Sequence, residues 1–123
     1  MSRARPNPVV HLELRTPNLP RACAFYTTLL GWRAESVHLA GGTYLALELG
    51  DRLEGGVAEA DADVPLWLPY IEVADLEAAI ERAVRLGARV EMPPREGPAG
   101  WRSVIVAPDG SHTALWRAKP GLG

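Results

Sequence analysis

The chain has 123 residues, 47% of them apolar and 23% charged, with a formal net charge of −2. That is enough apolar matter for one self-supporting core, whereas the slight acidity, with no lysine or arginine cluster and no aromatic-basic stripe, excludes a nucleic-acid backbone as partner. No apolar run approaches the about 20 residues of a membrane span, the opening MSRARPNP lacks the apolar segment of a secretion signal, and the single Cys23 allows no internal disulfide, so a cytoplasmic protein with no membrane partner is expected.

Residues 1–8 carry no periodicity and read as a flexible arm. In His11 to Thr16 the polar His11, Glu13 and Arg15 alternate with Leu12 and Leu14, so a strand sets the first three on one face and the leucines on the other. Asn18 then caps a helix whose first turn accepts Pro20, whose apolar stripe is Phe25, Tyr26, Leu29 and Leu30, and which stops at Gly31. From Trp32 to Ala60, breaks at Gly41-Gly42 and Gly50-Asp51 divide the chain into three short strands. The first half therefore reads βαβββ.

The pattern recurs. A spacing of 57 residues carries Leu14 onto Ile71, Asn18 onto Asp75 and Ala22 onto Ala79, and a one-residue gap brings Gly31 onto Gly87. Strand, cap, helix and stop keep their order, which is harder to obtain by accident than agreement of hydrophobicity alone. The acidic AEADADVP, residues 58–65, suits a connector. Leu66 to Val73 begins the second half; Asp75 caps a helix with Leu76, Ala79, Ile80, Ala83 and Val84 on one stripe; Arg89 to Met92 resumes as a strand. After the loop PPREGPAG, two strands, Trp101 to Ala107 and His112 to Trp116, flank the turn Pro108-Asp109-Gly110-Ser111. The expected organisation is one domain over 9–118, with modules at about 9–60 and 66–118 and a tail at 119–123. The expected fold is α+β: two tandem βαβββ modules forming an open, curved mixed sheet, a cup, with the helices on its outer face.

HLELRT followed by NLPRACAFYTTLLGW, then YIEVADLEAAIERAVRLGA and the hairpin APDGSHTALW, together resemble the vicinal oxygen chelate superfamily, which groups glyoxalases, extradiol dioxygenases, fosfomycin-modifying enzymes and bleomycin-binding proteins. The resemblance covers nearly the whole chain. It implies a divalent metal in those members that are metal enzymes, held by one His, Gln or Glu from the first and last strand of each module. The four positions fall on His11, on Leu68, on Ala114 and near Gly55, so three of the four ligands are missing and no cofactor is expected. An alternative set, His11, Glu48 and His112, would give two histidines and a carboxylate to a divalent metal.

The ligand-binding cup is assigned to His11, Glu13, Arg15, Tyr44, Glu48, Tyr70, Trp101 and Trp116, the indoles and phenols offering flat surfaces to a planar ligand. Arg15 and Glu72, at equivalent module positions, are candidates to pair with each other. The resemblance implies a homodimer and a metal-free protein sequestering an aromatic or antibiotic-like molecule. Its alternatives are a metal-dependent glyoxalase-like lyase or isomerase, or a dioxygenase, using His11 and Glu48, and an accessory regulatory module.

Overall fold

A computed structural model describes residues 7–39, 42–50, 53–60 and 65–120. The chain divides into two compact units, an N-terminal unit, Val10–Leu68, and a C-terminal unit that combines Met1–Val9 with Pro69–Gly123. The first βαβββ run comprises β1 (Val9–Thr16), α1 (Leu19–Leu30), β2 (Arg33–Leu39), β3 (Gly42–Glu48) and β4 (Glu54–Glu59). The second comprises β5 (Leu66–Glu72), α2 (Leu76–Arg85), β6 (Arg89–Glu96), β7 (Gly100–Val106) and β8 (His112–Ala118). The fold is α+β, and its duplication is visible in the strand orders, β2-β3-β4-β1 and β5-β8-β7-β6. In each run the first and last strands are parallel and the remaining pairs antiparallel. Much of the expected arm, of the two breaks, of the connector and of the tail lies outside the described residues.

The helix punctuation follows from the residues that carry it. The Asn18 side chain accepts from the Arg21 N–H at 3.1 Å, Pro20 occupies the first turn, and Gly31 takes the left-handed conformation (φ 71°) while its N–H returns to the Thr27 carbonyl. Asp75 accepts from the Ala78 N–H at 3.0 Å, and the helix ends at Arg85, with Gly87 at φ 101°. At the last hairpin Asp109 accepts both the N–H and the hydroxyl of Ser111, which holds its carboxyl below the ordinary carboxylate range, and Gly110 supplies φ 92°.

The core of the N-terminal unit is Leu14, Leu47 and Val57, covered by Leu19, Ala22 and Tyr26 of α1 together with Trp32 and Trp67. Tyr26 stacks on Trp32 and meets Trp67 edge-on, and the Trp67 indole N–H donates to the Tyr26 hydroxyl. The sheet-facing stripe of α1 is thus the partly buried Leu19, Ala22 and Tyr26, which shares only Tyr26 with the expected stripe. Phe25, Leu29 and Leu30 lie on the next row of the helix surface and are 57%, 62% and 49% exposed. Periodicity alone does not say which of two adjacent apolar rows meets the sheet.

In the C-terminal unit Leu76, Met92, Val104, Val106, Ala114 and Leu115 are buried. β6 runs through Pro93 and Pro94 to Glu96, where the sequence suggests a loop. It is the last strand of its four and its pairing with β7 shifts register on both sides of Met92, so the prolines remove no ladder bond that the strand needs. Asn7 and Pro8 of the expected arm and Lys119 of the expected tail are tied down. The Asn7 amide donates to the Glu72 carbonyl and the Glu72 N–H to the Pro8 carbonyl, while Lys119 binds the Ala99 carbonyl through its N–H and the Glu96 carboxylate through Nζ at 2.6 Å.

Candidate functional site

Cross-strand register sorts the side chains of the N-terminal sheet by face, since residues opposite one another in a ladder project the same way. Leu12, Leu14, Leu45, Leu47 and Val57 share the helix face. The other face has three rows: His11, Glu54, Glu48 and Arg33; Glu13, Gly56, Ala46 and Glu35; Arg15, Ala58, Tyr44 and Val37. Five residues assigned from the sequence, His11, Glu13, Arg15, Tyr44 and Glu48, therefore lie on one sheet face, opposite to the helix.

Tyr44 begins two rows from His11 and crosses the sheet to reach it. Its hydroxyl lies 2.7 Å from His11 Nε2, with the two rings nearly parallel at 22°. The crossing passes over Gly56, where a Cβ would collide with the hydroxyl and ring of Tyr44. Burial holds the His11 imidazole below its ordinary value of 6.5, and the Glu54 carboxylate opposes this more weakly, so the ring is neutral near pH 7. Glu13 is buried and its carboxylate lies 3.6 Å from the guanidinium of Arg15. Arg15 therefore pairs along its own strand with Glu13. Glu48 is exposed, two strands from His11 in the same row.

The equivalent face of the second run is built from Leu68, Tyr70 and Glu72 on β5, His112, Ala114 and Trp116 on β8, and Arg102, Val104 and Val106 on β7. Leu68, Tyr70, Val104 and Ala114 are buried, and Tyr70 meets Trp116 at 6.2 Å between ring centroids. His112 lies 3.7 Å from Glu91. Trp101 is a correction to the expected cup. Trp116 pairs with Arg102, so Trp101 points to the opposite face, where Arg117 and Lys119 lie over its ring at 5.4 and 5.7 Å. Glu72 borders an open hollow of about 660 Å³ shared with Pro8 and Arg117.

Register also refines which residues stand at the four positions that the resemblance implies for metal ligands. Glu13 opposes Gly56 as Tyr70 opposes Ala114, so the first-module equivalent of Ala114 is Gly56, next to Gly55. The four positions are then His11, Gly56, Leu68 and Ala114, which offer one donor. Among the described residues no group of three His, Cys, Asp or Glu side chains is placed to hold a metal ion. Glu54 is the residue that sequence reasoning misses. It stands beside His11 only because β4 runs parallel to β1, a non-local pairing for which the segment around Glu54 carries no local sign.

The family model for the Glyoxalase/Bleomycin resistance protein/Dioxygenase superfamily matches residues 9–114. Among proteins of known sequence, the chain is 32% identical over 120 residues to the Mycobacterium tuberculosis protein named "Putative glyoxylase CFP32", covering 91% of this chain and 46% of that protein. It is 31% identical over 119 residues to the Streptomyces peucetius anthracycline biosynthesis protein DnrV, covering 94% and 43%. The chain thus spans a little under half the length of these relatives. Among solved structures, a hypothetical protein from Bacillus halodurans superposes with a TM-score of 0.72 at 14% identity, over 97% of this chain and 99% of that one. Methylmalonyl-CoA epimerase from Mycobacterium tuberculosis superposes with a TM-score of 0.64 at 20% identity, over 92% and 89%. At such identities the superpositions speak for the fold alone.

Proposed function

Because the chain belongs to the Glyoxalase/Bleomycin resistance protein/Dioxygenase superfamily, we propose that it is a small-molecule-binding member with a degenerate metal site, which holds a planar, oxygen-bearing aromatic ligand without turning it over. The observation that carries this reading is the donor set: of the four ligand positions only His11 has a metal-binding side chain, and its Nε2 is in a hydrogen bond with Tyr44. One imidazole is short of the three or more donors that a stable divalent site needs. What the sheet face does offer is a neutral hydroxyl–imidazole pair and the Glu13–Arg15 ion pair, groups that hydrogen-bond carbonyl and phenolic oxygens. The C-terminal unit carries an aromatic pair of its own, Tyr70 and Trp116, on which a planar ligand can stack.

The similarity to an anthracycline biosynthesis protein supports polycyclic aromatic ketones as the ligand class. A cytoplasmic homodimer is the form we expect, as the family resemblance implies. Among the described residues no helix is long and apolar enough to cross a membrane. The test is titration with a dihydroxyanthraquinone, read by quenching of tryptophan fluorescence. Saturable quenching that weakens in Trp116→Ala supports the reading, and quenching identical in the two proteins contradicts it.

A second reading keeps catalysis. His11, Glu54 and Glu48 form one row across three strands, and a neutral imidazole beside carboxylates is the arrangement of a general base in a glyoxalase-like lyase or isomerase. It predicts turnover of a 2-oxoaldehyde–thiol adduct that is lost in His11→Ala.

A further inference from the structure

The Tyr44–Gly56–His11 arrangement has the form of a lock. A Cβ on Gly56 would overlap both the hydroxyl and the adjoining ring carbon of Tyr44, so the phenol lies in the volume that any side chain at position 56 would occupy. Gly56 is buried and carries no positive φ, so backbone conformation does not call for glycine there; the space over it does. The phenol that fills that space ends on His11 Nε2 at 2.7 Å. Position 56 is also the equivalent of Ala114, one of the four places from which a metal would be held. The second run places other residues at these positions: Leu68 stands in place of His11, and Ala114, opposite Tyr70 and Val104 in the ladder, is fully buried.

We propose that Tyr44 is a positioning residue whose hydroxyl, admitted by the bare Gly56, takes the place of a metal ligand and fixes the His11 imidazole through Nε2. The pair Gly56 and Tyr44 is then a single device. It withholds Nε2 from a metal ion and sets the ring in one orientation toward a ligand oxygen. This inference rests on the binding reading above for its purpose but not for its geometry.

The device is tested by a cycle of Gly56→Ala, Tyr44→Ala and the double variant, with Tyr44→Phe as the conservative probe. The readout is the pair of His11 ring-nitrogen resonances of nitrogen-labelled protein, recorded well above the titration range of histidine. Tyr44→Phe is expected to shift the Nε2 resonance by removing its partner. Gly56→Ala, whose methyl group takes the volume of the Tyr44 hydroxyl, is expected to reproduce that shift by displacing the phenol. In the Tyr44→Ala background the same methyl group should change nothing further. Should Gly56→Ala fail to fold, the double variant is expected to fold, because the colliding phenol is gone.

His11 resonances in folded Gly56→Ala that match the wild type, an effect of Gly56→Ala that is undiminished in the Tyr44→Ala background, or a double variant that also fails to fold would each overturn the proposal. The dihydroxyanthraquinone titration is independent of this cycle. Coupled resonances without quenching would leave the lock standing and remove the ligand reading, and quenching without coupling would do the reverse.

Discussion

The two runs share a topology and differ in what they place at equivalent positions. His11 corresponds to Leu68, Glu13 to Tyr70, Gly56 to Ala114 and Ala58 to Trp116. One face is polar and half-buried around a histidine–tyrosine pair; its counterpart has an apolar residue at two of the equivalent positions, with Leu68 and Ala114 fully inaccessible to solvent. The strand pattern constrains only which face a side chain takes, so a duplicated unit can give one copy to stability and the other to recognition without altering the ladder.

The strongest way to break this comparison is to remove the equivalent side chains. Leu68→Ala should cost about 2–5 kcal/mol, the range for deleting a fully buried leucine. His11→Ala should cost about 0.5–1.5 kcal/mol, the net worth of one hydrogen bond. Urea denaturation midpoints check the pair, and equal losses would refute the division of labour.

A smaller effect separates the two tryptophans of the C-terminal unit. Trp116→Ala should weaken dihydroxyanthraquinone binding about two- to tenfold, as expected of one aromatic contact worth about 0.5–1.5 kcal/mol. Trp101→Ala should leave binding unchanged and lower stability by about 1 kcal/mol, through loss of the Arg117 and Lys119 contacts.

The smallest effect is a pH dependence. Burial lowers the folded-state pKa of His11, so below 6.5 the unfolded chain binds the proton more readily than the folded one. The stability associated with neutral His11 is complete above pH 6.5 and is lost as pH falls through the lowered folded-state value. Denaturation midpoints of the wild type should therefore fall faster on acidification than those of His11→Asn. Parallel curves would mean that His11 is not held neutral by burial.

Local chemistry made the helix limits legible. Asn18, Asp75 and the turn at Asp109 each satisfy backbone or side-chain donors within a few residues, Gly31 satisfies the Thr27 carbonyl, and a sequence shows such partners directly. What was not legible depends on pairing between distant segments. The alternation in His11 to Arg15 fixes a common face, but that Glu54 joins it, and that Tyr44 crosses to it, follows from the parallel β1–β4 register. The face of Trp101 could have been read by counting outward from the last hairpin, where Val106 opposes His112 and therefore Arg102, not Trp101, opposes Trp116. The exposed row of α1 shows the same limit, since two adjacent apolar rows satisfy one periodicity and only packing selects between them.

The measurement that tests the account most directly is the metal content of protein purified without an affinity tag, joined to a thermal-shift titration with nickel, manganese, iron and zinc. A metal-free protein whose melting temperature does not respond to any of the four is the predicted result. Stoichiometric metal, or a concentration-dependent stabilisation that disappears in His11→Ala, would contradict it and establish His11 as a ligand in a working metal site.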